Sequence, residues 1–144
     1  MARVLGIDVG TKTLGLAVSD ENARVAMPLE VLARSGLERD LRRLSEQIQQ
    51  REIAEVVVGM PLQLDGRPGE LAPEAELIAA KLRERCTVSV FLWDERMTTA
   101  GAERVLIQAD VSRRKRRQVI DKLAATLILQ GFLDRRSLEQ DRSS

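Results

Sequence analysis

The chain of 144 residues contains no histidine, no tyrosine and a single cysteine, Cys86. These absences exclude a Ser-His-Asp triad, a histidine-ligated zinc site, an internal disulfide and a CxxC site. Only 2% of the residues are aromatic, and all three aromatic side chains lie in apolar patterns typical of a core. Any chemistry must therefore come from carboxylates, hydroxyl groups, Lys, Arg, the backbone or a bound metal ion.

Long apolar runs are also missing, because the longest are a handful of residues and far shorter than a membrane span. Asp8 interrupts the N-terminal apolar run, so we predict no signal peptide. The cysteine usage fits a reducing compartment, and we expect a soluble, cytoplasmic protein. The length suits one domain, predicted over residues 1–134, and residues 135–144 have so little to bury that we expect a frayed tail.

Hydrophobic periodicity predicts five strands and four helices. The strands are predicted over residues 3–9, 13–19, 24–32, 54–59 and 87–93, and the helices over residues 37–50, 73–86, 97–109 and 118–133. Pro28 places the third strand at a sheet edge or a bulge, and Ser35 and Glu38 have the spacing of a capping box. Three leading strands followed by strands that alternate with helices favour an α/β layered domain with a mixed sheet.

The net charge of +1 conceals an uneven distribution of basic residues. Residues 111–122 hold six basic side chains against one acidic side chain, so this segment carries +5 and the other 132 residues carry −4. A basic patch on a mildly acidic body indicates that a polyanion binds at one place. A solvated charge run beside a helix is the equally open alternative.

Four acidic residues, at three places in the chain, need an explanation. Asp8 lies inside an apolar strand, where an unpaired carboxylate costs several kcal/mol unless it is paired, bound to a metal or directed into a cleft. Asp94 and Glu95 directly follow a strand, at the edge of an α/β sheet where ligands bind, although an acidic pair there also complements a helix dipole. Asp121 lies in an otherwise apolar helix pattern, where it is either a first-turn residue, a partner of the neighbouring arginines or a site residue.

Convergence of carboxylates from a strand, a strand end and a helix would create a cluster that repels itself unless cations neutralise it. Oxygen ligands without histidine or cysteine favour Mg²⁺ or Mn²⁺. Two such ions, roughly 4 Å apart, stabilise the attacking and leaving oxygens of a phosphodiester. The pattern therefore predicts a two-ion site with the basic patch beside it to hold a polyanionic backbone.

Four segments carry a resemblance to a known family: GIDVGTKTLGLAVSD (6–20), VVVGMPLQLDG (56–66), DERMTTAGAE (94–103) and RRKRRQVIDKLAATLILQGFL (113–133). With them the chain resembles the YqgF/RuvX family of RNase H-like proteins. The resemblance implies an RNase H-like fold with a five-stranded mixed sheet flanked by helices. It also implies a carboxylate site on Asp8, Glu95 and Asp121.

The family resemblance implies a hydrolase, a metal-dependent endonuclease that matures the 5′ end of pre-16S rRNA or, in some lineages, resolves Holliday junctions. Asp8 would bridge the two ions, Glu95 and Asp121 would each complete one side, and the substrate would be structured RNA or branched DNA. The expected nucleic-acid contacts are Lys12, Arg96, Arg113, Arg114, Lys115, Arg116 and Arg117.

Other functions stay open at this stage. An ATPase of the actin, Hsp70 and sugar-kinase type shares a first motif like GIDVGT, but needs well over twice this length. A non-catalytic rRNA-binding assembly factor would use the basic patch and would have no need of the acidic cluster. We expect a monomer or a homodimer with no membrane partner.

Overall fold

The computed structural model describes residues 3–61, 69–95 and 113–143, and within the last range the side chains of residues 123–140. Five strands form one sheet in the order β3-β2-β1-β4-β5. They are β1 (Arg3–Val9), β2 (Thr13–Ser19), β3 (Ala26–Ala33), β4 (Ile53–Met60) and β5 (Ser89–Asp94). The described helices are α1 (Leu37–Gln50), α2 (Ala72–Arg85) and α3 (Arg113–Ser143).

The sheet is mixed, as the order of elements predicts. β1, β2 and β3 pair antiparallel as a meander, whereas β4 and β5 extend the sheet in parallel from β1. A tight turn joins β1 to β2, where the Gly10 N–H donates to the Thr13 carbonyl at 2.8 Å. Parallel pairing needs crossover segments, and α1 and α2 lie in the two that precede β4 and β5.

Helices cover both faces of the sheet, so alternate residues of β1 enter two different cores. Leu5, Ile7 and Val9 pack in the core that contains α1 and α2. Val4 packs in the second core with Ala125, Ile128, Leu129 and Leu133 of α3. Burial on both sides explains why the strand is apolar almost throughout.

Gly6 allows α3 to approach β1 closely. A Cβ atom at this position would lie 2.8 Å from the Leu129 Cβ and 3.1 Å from the Ala125 carbonyl oxygen. Any larger residue would therefore push the helix away from the sheet. The glycine of the first motif thus fixes the distance between β1 and α3.

The third strand is an edge strand, as Pro28 predicts. β3 pairs only with β2, and the register shifts between Leu16 and Ala17, opposite the segment that contains the proline. Pro28 has no N–H to donate, so it fits an irregular edge position and no central one. β3 begins at Ala26, two residues later than predicted.

The last helix extends beyond residues 118–133 at both ends, and at its start it takes in most of residues 110–117, which the sequence predicts to be a basic loop or the start of a helix. It begins at Arg113 and continues through Ser143, so the segment predicted as a frayed tail is helical. Its contacts explain the difference: Arg136 donates two hydrogen bonds to Glu55 of β4, at 2.7 and 2.6 Å. The exposed pair of Arg135 and Glu139 adds an i,i+4 ion pair.

Two further predictions concern the start of α1 and the helix over residues 97–109. The capping box is wrong, because the N-cap of α1 is Gly36 and no side chain caps the helix. The Ser35 N–H donates instead to Oδ1 of Asp40, inside the first turn. The helix predicted over 97–109 lies outside the described residues. Within the described ranges, no helix has the length and apolarity to cross a membrane.

Candidate active site

The candidate site lies where β1, β4 and β5 end, on the face of the sheet that α3 covers. The three strands are parallel and neighbouring, so their C-terminal ends share one edge. Asp8 is the last residue but one of β1, and Glu95 follows the last residue of β5. Two of the three predicted carboxylate positions thus come from separate strands to the same place.

Asp8 faces α3 because side chains alternate along a strand. Val4 and Gly6 contact that helix, and Asp8 has the same parity in β1. The residue is half-buried, and it pairs with Gly15 of β2 in the backbone register. A carboxylate is tolerated here because Asp8 lies near the C-terminal end of the strand, at the edge of the sheet.

Glu95 reaches toward Asp8 across a glycine of the strand between them. Gly59 lies in β4, opposite Trp93 of β5. A Cβ atom at Gly59 would collide with Oε1 of Glu95 and would lie 2.6 Å from Cδ1 of Ile128. Gly59 therefore leaves the space that the Glu95 carboxyl group occupies.

A hydrogen bond joins the carboxyl groups of Glu95 and Asp8. Burial raises the pKa of Glu95 to about 8, and the hydrogen bond to Asp8 and the negative charges of Asp8 and Asp94 act in the same direction. A hydrogen bond raises the pKa of an acid when the protonated form donates it, so Glu95 donates to the Asp8 carboxylate. Burial and the neighbouring negative charges thus favour the protonated form of Glu95 at neutral pH.

This arrangement fits a hard divalent cation. Both donors are carboxylate oxygens, which are the ligands that Mg²⁺ and Mn²⁺ prefer. A cation held by both carboxylates would offset the negative charges that, together with burial, raise the pKa of Glu95. Among the described side chains, no group of three or more His, Cys, Asp or Glu could hold a metal ion.

Comparison with known proteins places the chain in a family. The family model for RuvX, described as a Holliday junction resolvase, matches residues 2–135. The chain belongs to the RuvX family. A relative from Desulforudis audaxviator is 48% identical over 93% of this chain and 95% of its own length. A relative from Shouchella clausii is 47% identical over 94% of this chain and 96% of its own length. Both carry names that propose a pre-16S rRNA nuclease.

Solved structures confirm the RNase H-like fold that the RuvX resemblance implies. Thermus thermophilus RuvC in complex with a Holliday junction substrate aligns with a TM-score of 0.60 at 20% identity, over 95% of this chain and 97% of RuvC. The Holliday junction resolvase of fowlpox virus aligns with a TM-score of 0.53 at 12% identity, over 92% of this chain and 98% of the resolvase. At these identities the likeness concerns the fold alone.

The helix backbone brings Asp121 toward the same end of the RuvX sheet. Farther along α3, Gln130 accepts a hydrogen bond from the Ala26 N–H at the start of β3, and Arg136 contacts Glu55 near the start of β4. The helix thus runs from the site end of the sheet to the opposite end. Asp121 lies one turn before Ala125, on the site side, and its side chain lies outside the described residues.

The predicted phosphate contacts have different placements. Lys12 is exposed in the turn that follows β1, close in sequence to Asp8. Arg96 lies outside the described residues. The basic run forms the first turns of α3, and only its backbone is described; its members are Arg113, Arg114, Lys115, Arg116 and Arg117.

Sequence reasoning missed one residue of the site, Gly59. The sequence offers the signal that a glycine interrupts a β-branched strand, which marks a close approach of other atoms. The partner of that approach, Glu95, lies on another strand, so the sequence alone does not reveal it.

Proposed function

We propose that this protein is a nuclease that hydrolyses phosphodiester bonds in the 5′-end maturation of pre-16S rRNA. The observation that carries the proposal is the pair of Asp8 and Glu95, whose carboxyl groups meet where two parallel strands end. The names of the relatives from Desulforudis and Shouchella support the substrate. Such a pair has a use in a nuclease, whereas a protein that only binds RNA gains nothing from it.

Asp8, Glu95 and Asp121 would hold Mg²⁺ or Mn²⁺, with two ions as the acidic pattern of the sequence predicts. When bound, the ions supply Lewis acidity toward a phosphodiester and a lowered pKa of water. The chain's own contribution is to hold the carboxylates rigidly. Asp8 is fixed within a strand paired on both sides, and the Glu95 carboxyl group lies against Gly59.

Basic residues around the carboxylates would bind the phosphate backbone. Lys12 borders the site on the β1–β2 turn, and the first turns of α3 add the basic run. The chain has only three aromatic residues, so backbone shape and charge carry recognition, and base stacking contributes little. We expect the protein to act in the cytoplasm, where precursor rRNA is processed.

A Holliday junction resolvase is the second candidate, favoured by the description of the family that the chain belongs to. It would need the same carboxylates, because both substrates are cut at a phosphodiester. A junction presents two strands related by a two-fold axis, so this function would favour a homodimer with two sites. The two candidates therefore differ in substrate and in oligomeric state.

A cleavage assay separates these functions. The wild-type protein and Asp8→Asn are each given a labelled pre-rRNA 5′-leader fragment and a labelled four-way DNA junction, with Mg²⁺ or Mn²⁺. Asp134→Asn is the matched control, because this exposed aspartate accepts a hydrogen bond from Gln130 on α3, beyond the site. We expect metal-dependent cleavage of the RNA that Asp8→Asn abolishes and Asp134→Asn retains, while Asp8→Asn still binds the RNA.

The other outcomes are equally informative. Symmetric cleavage of the junction with intact RNA would identify the resolvase function. Binding of both substrates without any cleavage would contradict the nuclease proposal and indicate an assembly factor. Loss of RNA binding in a folded Asp8→Asn would contradict the assignment of Asp8 as a metal ligand.

A further inference from the structure

Arg34 lies between β3 and α1, and its guanidinium group connects three elements. Its side chain is only 13% exposed. Nη1 donates to the Gly10 carbonyl at 3.2 Å, in the turn after β1. Nε donates to Oδ2 of Asp40 in α1 at 3.0 Å, and Nη2 donates to Oε1 of Glu74 in α2 at 2.5 Å. Each nitrogen of the guanidinium group is thus directed to a different element.

Asp40 fixes the orientation of Arg34 through a hydrogen bond. This carboxylate is fully buried. Its Oδ1 accepts hydrogen bonds from the Ser35 N–H at 3.0 Å and from Arg43 Nη2 at 2.8 Å, while Oδ2 binds Arg34. Burial alone would raise the pKa of Asp40, but the Ser35 amide and the two guanidinium groups hold it below its usual value. A buried carboxylate with all these donors is a rigid anchor.

Arg34 also holds the β1–β2 turn through its backbone. Its N–H donates to the Lys12 carbonyl at 2.9 Å, while the Gly10 N–H donates to the Thr13 carbonyl. One residue therefore binds two of the carbonyl groups in a four-residue turn. That turn begins two residues after Asp8 and exposes Lys12 to solvent.

We propose that Arg34 is a positioning residue that fixes the turn so that Lys12 meets a phosphate of bound nucleic acid. The inference rests on the proposed function for the polyanionic ligand. Arg34 does not bind the phosphate itself, because it is largely buried and already binds two carboxylates. Its contribution is to remove the conformational freedom that Lys12 would otherwise lose on binding.

The test compares how salt weakens RNA binding in four variants of the full chain. They are Lys12→Ala, Arg34→Lys, the double variant of these two, and Arg136→Lys. Each phosphate contact contributes roughly 1 to the slope of log K against log salt concentration. With the labelled 5′-leader RNA, we expect Lys12→Ala to reduce the slope by about 1 and to weaken binding on the order of fivefold.

Arg34→Lys keeps the charge but loses the planar fork, so it cannot reach Gly10, Asp40 and Glu74 together. We expect it to reduce the slope as Lys12→Ala does, and we expect the double variant to bind no more weakly than Lys12→Ala. Amide exchange at Gly10 should accelerate in Arg34→Lys and stay unchanged in Lys12→Ala. Arg136→Lys is the matched control, because it alters another partly buried bidentate pair at the opposite end of the sheet.

Several results would overturn the inference. A wild-type slope in Arg34→Lys, or additive losses in the double variant, would show that Arg34 does not act through Lys12. If Arg34→Lys does not fold, Asp40→Asn removes the anchor instead, and it should show the same loss of slope. RNA binding without cleavage by the wild type overturns only the nuclease proposal, whereas absence of RNA binding overturns both.

Discussion

At the scale of single residues, Asp8 and Glu95 could be predicted from the sequence and Gly59 could not. A carboxylate inside an apolar strand is anomalous in its own neighbourhood, so Asp8 is visible in a single sequence. Glu95 is visible because it follows a strand end. The role of Gly59 depends on the side chain of a neighbouring strand 36 positions later, and local sequence carries no information about that contact.

The raised pKa of Glu95 predicts that ionisation of this residue at alkaline pH destabilises the folded, metal-free protein. Because the pKa is about 8 in the folded protein against 4.5 ordinarily, neutral Glu95 contributes stability below pH 4.5 that is lost as the pH rises through 8. In a chelator at pH 8–9, Glu95→Gln should therefore raise the free energy of unfolding by about 2 kcal/mol, or the Tm by roughly 6 °C. Thermal melts from pH 4 to 9 measure this effect.

Glu46→Gln, which alters an exposed glutamate of α1, is the control and should leave the melts unchanged. With Mg²⁺ the order should reverse, because the wild type gains stability from the ion that Glu95→Gln cannot hold. If Glu95→Gln is less stable than the wild type at every pH in chelator, the pKa of Glu95 is not raised in the folded protein.

Gly59 predicts a second result at this scale. Gly59→Ala places a methyl group against Glu95 and Ile128, so we expect a loss of about 1–3 kcal/mol in unfolding free energy and loss of cleavage. Ile128→Val removes the Cδ1 atom that would lie 2.6 Å away. In the double variant, stability should recover in part while cleavage stays lost, because the collision with Glu95 remains. Recovery of cleavage together with stability would show that Gly59 serves only packing.

At the scale of elements, the described strands and helices followed from periodicity, but the length of α3 did not. Residues 135–143 have no apolar stripe that would predict a helix. Their helical state depends on Arg136, which binds Glu55 of β4 and lies over the rings of Phe91 and Phe132, at 5.6 and 4.5 Å from the ring centroids. The contact with Glu55 spans 81 positions of the chain, a distance that a local pattern cannot encode.

The contacts of Arg136 predict that the C-terminal segment stabilises the fold. Arg136→Ala should cost about 1–2 kcal/mol in urea unfolding, because it leaves the Glu55 carboxylate, whose side chain is 25% exposed, without its partner. Arg135→Ala, which breaks the exposed pair with Glu139, should cost less than about 0.5 kcal/mol. A chain that ends at residue 134 should lose at least as much as Arg136→Ala. Full stability of that shortened chain would support the tail that the sequence predicted.

At the scale of the whole molecule, the mixed sheet was predictable, because a meander followed by alternating strands and helices leaves few topologies. The buried network around Asp40 was not, because the sequence shows only a charged residue in the first turn of a helix. Its partners come from the β3–α1 connection and from α1, and through Arg34 it reaches the β1–β2 turn and α2. Tertiary structure alone makes that aspartate buried.

The network around Asp40 predicts how the free energy of unfolding falls at acid pH. The lowered pKa of Asp40 contributes stability that is present above its ordinary value of 3.8 and is lost as the pH falls through the folded-state pKa. Asp40→Asn should therefore be less stable than the wild type at pH 6, and the difference should shrink as the pH falls below 4. Urea titrations at pH 3, 4 and 6 measure it. A difference that stays constant over this range would assign the loss to packing and not to charge.

The order in which the chain is made has a consequence for when the site exists. Asp8 belongs to the first strand, Glu95 follows the last strand of the sheet, and α3 ends the described chain. A ribosome that synthesises this protein therefore releases the first carboxylate long before the second, and the covering helix later still. A nascent chain that has not yet reached the last strand of the sheet holds only one of the two carboxylates, so it cannot form the site.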